Sequence, residues 1–329
     1  MASLGVERFT ELVSTTLESI REDLQDQVLL RHPTLDLFRE NAGSDEGRTF
    51  VMNLEADELD GTDWTDASGT FSTDVDNDII TAAEYEWTMP LISKTRLRHR
   101  DIEMNSGSKT QVVNRVKTHI EAAKKGHAKK LAQALHAAVP ASGSIDSFPV
   151  LVAPDGEVGG IDPDSDPSRD YWRSPELVMG RDEYPNILKV FRTAENDLEV
   201  STSSQHELTH IVAGRNIFEE YVDHLDEKVR YVNLDGASAD KDAQTKFRAV
   251  YFGNVEMRLD PDCEADTAYF LDIGTWAFKY LNDNWMKMHD AQQIVGTLDF
   301  VTPIASICGI GTSERRANLV LKRPDVQPA

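Results

Sequence analysis

The sequence predicts an α+β protein with one long amphipathic helix and a strand-rich second half. Three observations lead there. Val112, Val116, Ile120, Ala123, His127, Leu131 and Leu135 recur at helical spacing on one stripe, which marks a helix over about residues 108–139. About 30 residues of helix run roughly 45 Å, longer than a compact domain of this size needs. Tyr85, Trp87, Met89 and Leu91 alternate with Glu84, Glu86 and Thr88, as in a half-buried strand, and the polar face continues through Lys94, Arg96, Arg98 and Arg100. Beyond the long helix, short apolar stretches separated by turn signals suggest helices mixed with strands.

In chain order, Phe9, Leu12, Val13, Leu17, Ile20 and Leu24 predict an amphipathic helix within residues 1–30, which His32-Pro33-Thr34 ends. A strand-like start follows at Thr49. Residues 61–78, rich in Gly, Thr, Ser and Asp, have the composition of an extended loop. Pro90 interrupts the alternating run and places it at a sheet edge or a bulge. A helix is expected over 185–196, a short apolar strand over Leu208–Ala213, and a helix over Ile217–Lys228. Strands are expected around Ala249–Phe252, Val255–Leu259 and Ala268–Leu271, and through most of 299–322.

The chain has 329 residues and a net charge of −23, so most of its surface repels nucleic acid and a dedicated DNA-binding role is disfavoured. No apolar run approaches the roughly 18–20 residues that span a bilayer. Its start, MASLGVERFTEL, lacks the pattern of a secretory leader. Two cysteines, Cys263 and Cys308, make no disulfide framework and fit a reducing compartment. Asp outnumbers Glu and Arg outnumbers Lys, a bias that suits either solubility at high salt or an ordinary acidic protein. The charge is also segregated. From Asp45 to Glu86, 13 acidic residues face one basic residue, a net of −12; from Lys94 to Lys130, 11 basic residues face three acidic ones, a net of +8.

The sharpest catalytic motif is His206-Glu207-Leu208-Thr209-His210, which matches the zincin pattern. That pattern works because two histidines at i and i+4 share a helix face, with the Glu placed to activate a metal-bound water. Here Ser201-Thr202-Ser203-Ser204 precedes it and a buried strand, Ile211–Gly214, follows, so a helix is not expected. The Gly of the longer metzincin pattern falls one place late, although Glu219 or Glu220 is available as a third ligand. Asp-rich runs at 74–78, 162–166 and 260–266 lack both the turn Gly and the bidentate Glu of a calcium loop. Gly309-Ile310-Gly311 is too short for a dinucleotide fingerprint. The cysteines read as small buried side chains rather than nucleophiles. No cofactor, metal site or catalytic residue is expected.

Several segments carry a family likeness in their order and spacing. The run Ile80–Lys94, then Asn105-Ser106-Gly107 and a long helix containing Ala122-Ala123-Lys124-Lys125, resembles the E-loop strand and spine helix of major capsid proteins of tailed double-stranded DNA viruses, the Hong Kong 97-type fold. Val158-Gly159-Gly160-Ile161-Asp162 followed by Tyr171-Trp172-Arg173, then Asp260–Asp272, then Arg315-Arg316-Ala317-Asn318-Leu319, resemble motifs of one branch of that family. The resemblance implies an α+β capsid fold with an N-terminal arm (1–48), an E-loop (49–104), a peripheral domain with the spine helix (105–184 and 296–329) and an axial domain (185–295). It implies a virion shell subunit, assembled in the host cytoplasm into pentamers and hexamers around double-stranded DNA. Its partners would be a portal, a separate scaffolding protein and a decoration protein, with no membrane. Some members of the family crosslink through an E-loop Lys. Lys94, the one Lys before the spine helix, lies past the loop tip, so no crosslink is expected. The acidity suits a haloarchaeal virus.

An E-loop lies over the neighbouring subunit, so the acidic block is expected to meet a neighbour's basic stretch. The candidates for such contacts are Trp64, Asp74, Asp76, Asp78, Lys94, Arg96, Arg98 and Arg100. Lys117, Lys124, Lys125, Lys129 and Lys130 are candidates to face the interior and its DNA. The alternatives are an encapsulin-like nanocompartment with the same fold and a zinc hydrolase using His206, Glu207 and His210.

Overall fold

The computed structural model describes residues 32–40, 42–55, 80–99, 109–165, 167–180, 186–202, 206–229, 249–282 and 284–323. The helix expected within 1–30 and the loop expected over 61–78 lie outside them. The elements are helix α1 (Pro33–Glu40), strands β1 (Ala42–Asp45), β2 (Thr49–Glu55), β3 (Ile80–Glu86) and β4 (Leu91–Leu97), the long helix α2 (Lys109–Leu135) and a single turn, α3 (Phe148–Leu151). Then come β5 (Glu176–Val178), α4 (Ile187–Ser201), β6 (His210–Ala213), α5 (Arg215–Val229), β7 (Ala249–Phe252), β8 (Val255–Leu259) and β9 (Thr267–Leu271). The chain ends in β10 (Trp276–Leu281), β11 (Lys287–Met288), β12 (Gln292–Gln293), β13 (Phe300–Ser306), β14 (Cys308–Thr312) and β15 (Leu319–Lys322). These elements form two compact units that each draw on three chain segments.

The first unit takes the described residues of segments Met1–Gly47, Trp87–Ser147 and Phe278–Gly309. Its centre is α2 on a sheet in which β13 pairs antiparallel with β4, from Leu91↔Ser306 to Leu97↔Phe300, and along its other edge with β11 and β12. The helix buries Ile120, Lys124, His127, Ala128, Leu131, Ala132 and Leu135, which follow each other at helical spacing. It ends at Leu135, short of the expected 139, where the Ala137 amide closes a tighter turn on the Ala134 carbonyl at 3.3 Å. The alternation read as one run from Glu84 to Arg100 is two strands. Trp87 to Pro90 are irregular, Met89 is 71% exposed, and the Thr88 and Met89 amides donate singly to the Cys308 and Gly143 carbonyls instead of continuing the β2–β3 ladder. Beyond the break the period resumes: Thr95 is buried while Ile92, Lys94, Arg96 and Arg98 are exposed.

His127 joins the layers of this unit. Its ring is fully buried, with Nδ1 at 3.0 Å from Ser93 Oγ of β4 and Nε2 at 2.8 Å from Ser306 Oγ of β13. Ser306 Oγ in turn accepts the Met286 amide at 2.8 Å. A neutral ring fits this relay, and burial lowers the His127 pKa to about 4.

The second unit takes the described residues of Arg48–Glu86, Phe148–Ala277 and Ile310–Ala329. Its main sheet has the order β5-β15-β9-β6-β8-β7. Helices α4 and α5 cover one face through Ile187, Val190, Phe191, Ala194, Leu198, Ile217, Phe218 and Tyr221. The Phe191 ring stacks on Tyr221 at 5.2 Å and meets Phe270 edge-on at 5.2 Å. All five residues of β9 are buried, so both of its faces are covered: Phe270 faces the helices and Tyr269 meets Phe148 at 5.5 Å. Helix α4 runs five residues past the expected Asn196 and stops where the Thr202 hydroxyl donates to the Leu198 carbonyl at 2.8 Å. The strand expected from Leu208 begins at His210, and just before it both the amide and the hydroxyl of Thr209 donate to the Leu271 carbonyl.

The burial of His127 predicts acid sensitivity. Its folded pKa of about 4 lies below the usual 6.5, so the stability it contributes is complete above pH 6.5 and declines as pH falls towards 4. At about 1.4 kcal/mol per unit the full effect is about 3 kcal/mol. Denaturant unfolding between pH 7 and 4 should show this loss in the wild type and a smaller one in His127→Gln; parallel curves would remove His127 as the cause.

Candidate functional site

The two-stranded ribbon β2–β3 is held at its root by backbone that packs too closely for any side chain but glycine. Phe50 and Tyr85 are cross-strand partners whose rings stack at 5.2 Å, and both are buried. The Tyr85 hydroxyl donates to the Thr312 carbonyl at 2.7 Å and accepts the Thr312 amide at 3.1 Å. A Cβ on Gly311 would lie 2.5 Å from Tyr85 Cε2. On the other flank, the Glu84 amide donates to the Gly159 carbonyl at 2.9 Å. Gly159 has φ +61°, and a Cβ there would lie 2.7 Å from the Ala83 Cβ.

The loop that presents Gly159 is fixed by Arg315. This side chain is fully buried, and its five N–H groups donate to the carbonyls of Leu151, Ala153, Asp155, Gly156 and Trp172 at 2.5–3.4 Å. Burial pulls its pKa down to about 10, which still leaves it charged at neutral pH. Trp172 Nε1 donates to the Val158 carbonyl at 3.0 Å, and Val158 and Ile161 bridge each other across Gly159-Gly160. Three residues on, Asn318 Oδ1 accepts Trp276 Nε1 at 2.7 Å and the Asp272 amide at 3.2 Å. The segments 158–162, 171–173, 260–272 and 315–319, quoted separately for their family likeness, therefore meet in one network. Nothing in the sequence distinguishes Arg315, a buried cage centre, from Arg316, which pairs with Glu314.

The sequence-predicted site residues are placed unevenly. Trp64, Asp74, Asp76, Asp78 and Arg100 lie outside the described residues. Lys94 and Arg96 project from the face of β4 opposite Ser93 and His127, and Arg98, one residue past the strand, is exposed. Arg96, 57% exposed, is tied within the chain to Asp299, whose carboxylate also accepts the His99 amide at 2.9 Å. Those bonds hold the Asp299 pKa below the usual carboxylate value, the His99 amide first. Lys94 has no ion-pair partner among the described residues. On α2, Lys125, Lys129 and Lys130 are exposed. Lys124 is 5% exposed, so it belongs to the buried stripe and not to the helix surface expected for it. Lys117 lies on the same helix, with its side chain outside the described set.

His206 to Thr209 are irregular and His210 opens β6, so the zincin spacing does not fall on a helix. His206 Nδ1 pairs with Asp272 Oδ2 at 2.9 Å, while His210 Nε2 lies 3.9 Å from Glu256 Oε2. Among the described residues no group of three His, Cys, Asp or Glu side chains is placed to hold a metal ion. Both cysteines are buried, and burial pushes the Cys308 thiol up to about 12.

No family model matches the sequence, and no curated protein matches it. Solved structures do match. The capsid asymmetric unit of cyanophage A-1(L) matches at a TM-score of 0.63 with 14% identity, over 89% of this chain and 92% of that one. The fold is that of Hong Kong 97-type capsid subunits. Mycobacterium phage Adephagia matches at a TM-score of 0.55 with 13% identity, over 91% of both chains. The capsid of a native GTA particle matches at 0.54 with 12% identity, over 88% of this chain and 90% of that one.

The Arg315 cage predicts a large stability loss on truncation. Arg315→Ala strands five buried carbonyls and should cost about 3 kcal/mol or more in denaturant unfolding. Arg315→Lys keeps the charge but has three donors for five acceptors, and should recover only part of that loss.

Proposed function

We propose that this chain is a major capsid protein, a structural subunit without catalytic activity that self-assembles into pentamers and hexamers of an icosahedral shell around double-stranded DNA. The observation that carries the reading is the extent of the likeness: 88–89% of this chain aligns with 90–92% of chains from two capsids, and 91% with a chain of Mycobacterium phage Adephagia. A likeness that takes in nearly the whole of both chains is one of overall architecture and not of a single shared segment. In this reading 1–48 is the N-terminal arm and 49–104 the E-loop. Residues 105–184 with 296–329 form the peripheral domain, with α2 as its spine helix, and 185–295 form the axial domain. The protein resides in the virion after assembly in the host cytoplasm, with a portal and a separate scaffolding protein as partners.

The charge segregation supports a contact between copies. Lys94 on β4 and Arg98 just past its end are exposed, on either side of an Arg96 already engaged with Asp299. The acidic block that ends at Glu86 has the opposite sign and is present in every neighbouring copy. Complementary charge of this kind sets register and partner choice more than affinity. On α2, the exposed Lys125, Lys129 and Lys130 are the candidates to face packaged DNA.

Electron microscopy of the purified protein over a range of salt tests the reading. Closed shells are expected, and in virus-infected cells these should carry DNA and a portal vertex. Shells filled with a protein cargo would indicate an encapsulin-like compartment, and a stable monomer at every salt would overturn the shell reading. The double charge reversal Lys94→Glu and Arg98→Glu should slow assembly at least about tenfold at low salt, as followed by light scattering. Unchanged assembly would remove the charge pairing while leaving the shell itself standing.

A further inference from the structure

The root of the β2–β3 ribbon is fixed by more directed interactions than its burial requires. Phe50, Leu54, Ala83 and Tyr85 already give it a buried face. Beyond these, one phenol hydroxyl both donates to and accepts from the backbone of a single residue, Thr312, at 2.7 and 3.1 Å. Apolar burial lets a ribbon slide or rock over its support, whereas a donor–acceptor pair to one peptide unit fixes a point and a direction. The second flank supplies the other fixed point, the Glu84 amide on the Gly159 carbonyl at 2.9 Å. Gly159 is held in turn by the bridge between Val158 and Ile161, the Trp172 indole and the Arg315 cage. Two fixed points on neighbouring residues of β3, the Tyr85 hydroxyl and the Glu84 amide, restrain the angle of the ribbon on its support.

We infer that Tyr85 is a positioning residue for assembly, with its hydroxyl setting the angle of the β2–β3 ribbon so that its far end meets a neighbouring copy in one register. This rests on the shell reading above. Gly311 and Gly159 are part of the same device, because a methyl group at either position would displace Tyr85 or Ala83. Closed shells of one size need one subunit geometry, and an error of a few degrees at the root is magnified along the ribbon.

The test uses the full chain with Tyr85→Phe, which removes the hydroxyl and keeps the ring, and Gly311→Ala, which displaces the ring and keeps the hydroxyl. Val190→Ala, in the packed face of α4, serves as a control for lost stability alone. In unassembled subunits, backbone amide exchange at Ile80–Glu86 should quicken about tenfold in Tyr85→Phe, with Thr267–Leu271 unchanged. In assembly, both ribbon variants should give shells of mixed size or open sheets by electron microscopy, while Val190→Ala gives uniform shells. Uniform wild-type-like shells from both ribbon variants, or equally irregular shells from Val190→Ala, would overturn the inference. If the wild type forms no shell at all, the shell reading falls, and the exchange measurement still decides whether the hydroxyl fixes the ribbon.

Discussion

A guanidinium that is fully buried with no carboxylate among its hydrogen-bond partners must find neutral acceptors for every N–H, and Arg315 finds five carbonyls. Those carbonyls belong to two stretches, 151–156 and Trp172, which have no sheet or helix ladder to satisfy them together. The irregular backbone between α3 and β5 is organised by Arg315 together with Arg173, which donates to the Pro154 and Pro163 carbonyls and pairs with Asp155, Asp164 and Asp170. Gly159 rests against β3, Val158 accepts the Trp172 indole, and Asn318, on the same turn as Arg315, ties in Trp276 and the end of β9.

The same logic of satisfied polar groups in a buried place appears in the other unit. His127 sits where an apolar residue would serve the stripe of α2, yet its two nitrogens reach serines on two different strands. The bonds fix the rotation of the long helix over the sheet, which apolar packing alone leaves loosely specified. Each unit thus combines an ordinary apolar core with directional polar devices, His127 in the first and the Arg315 cage and the Tyr85 hydroxyl in the second. The core supplies stability and the polar devices supply a single repeatable geometry.

Charge plays a different part. The −12 and +8 blocks are legible in the sequence, but the structure separates the basic residues by what they touch. Arg96 is engaged within its own chain, Lys124 is buried in the helix stripe, and Lys94 and Arg98 remain exposed. Residues that look equivalent in a charge count are left with different capacities for contact.

The sequence by itself determined the elements whose patterns are periodic. The stripe from Ile120 to Leu135, the strands around Val255 and Ala268, and the helix before Lys228 all follow from spacing, because local burial imposes a period on the chain. The helix reading of the zincin motif was already weak, given the serines before it and the apolar strand after it. What only tertiary structure decided was which polar groups meet across long separations. Tyr85 and Thr312, or Arg315 and Leu151, carry no mutual signal, because a hydrogen bond to a backbone carbonyl requires no particular side chain at the acceptor position. The break at Trp87–Pro90 was likewise decided by distant carbonyls, those of Cys308 and Gly143, which drew the amides away from a continuous strand.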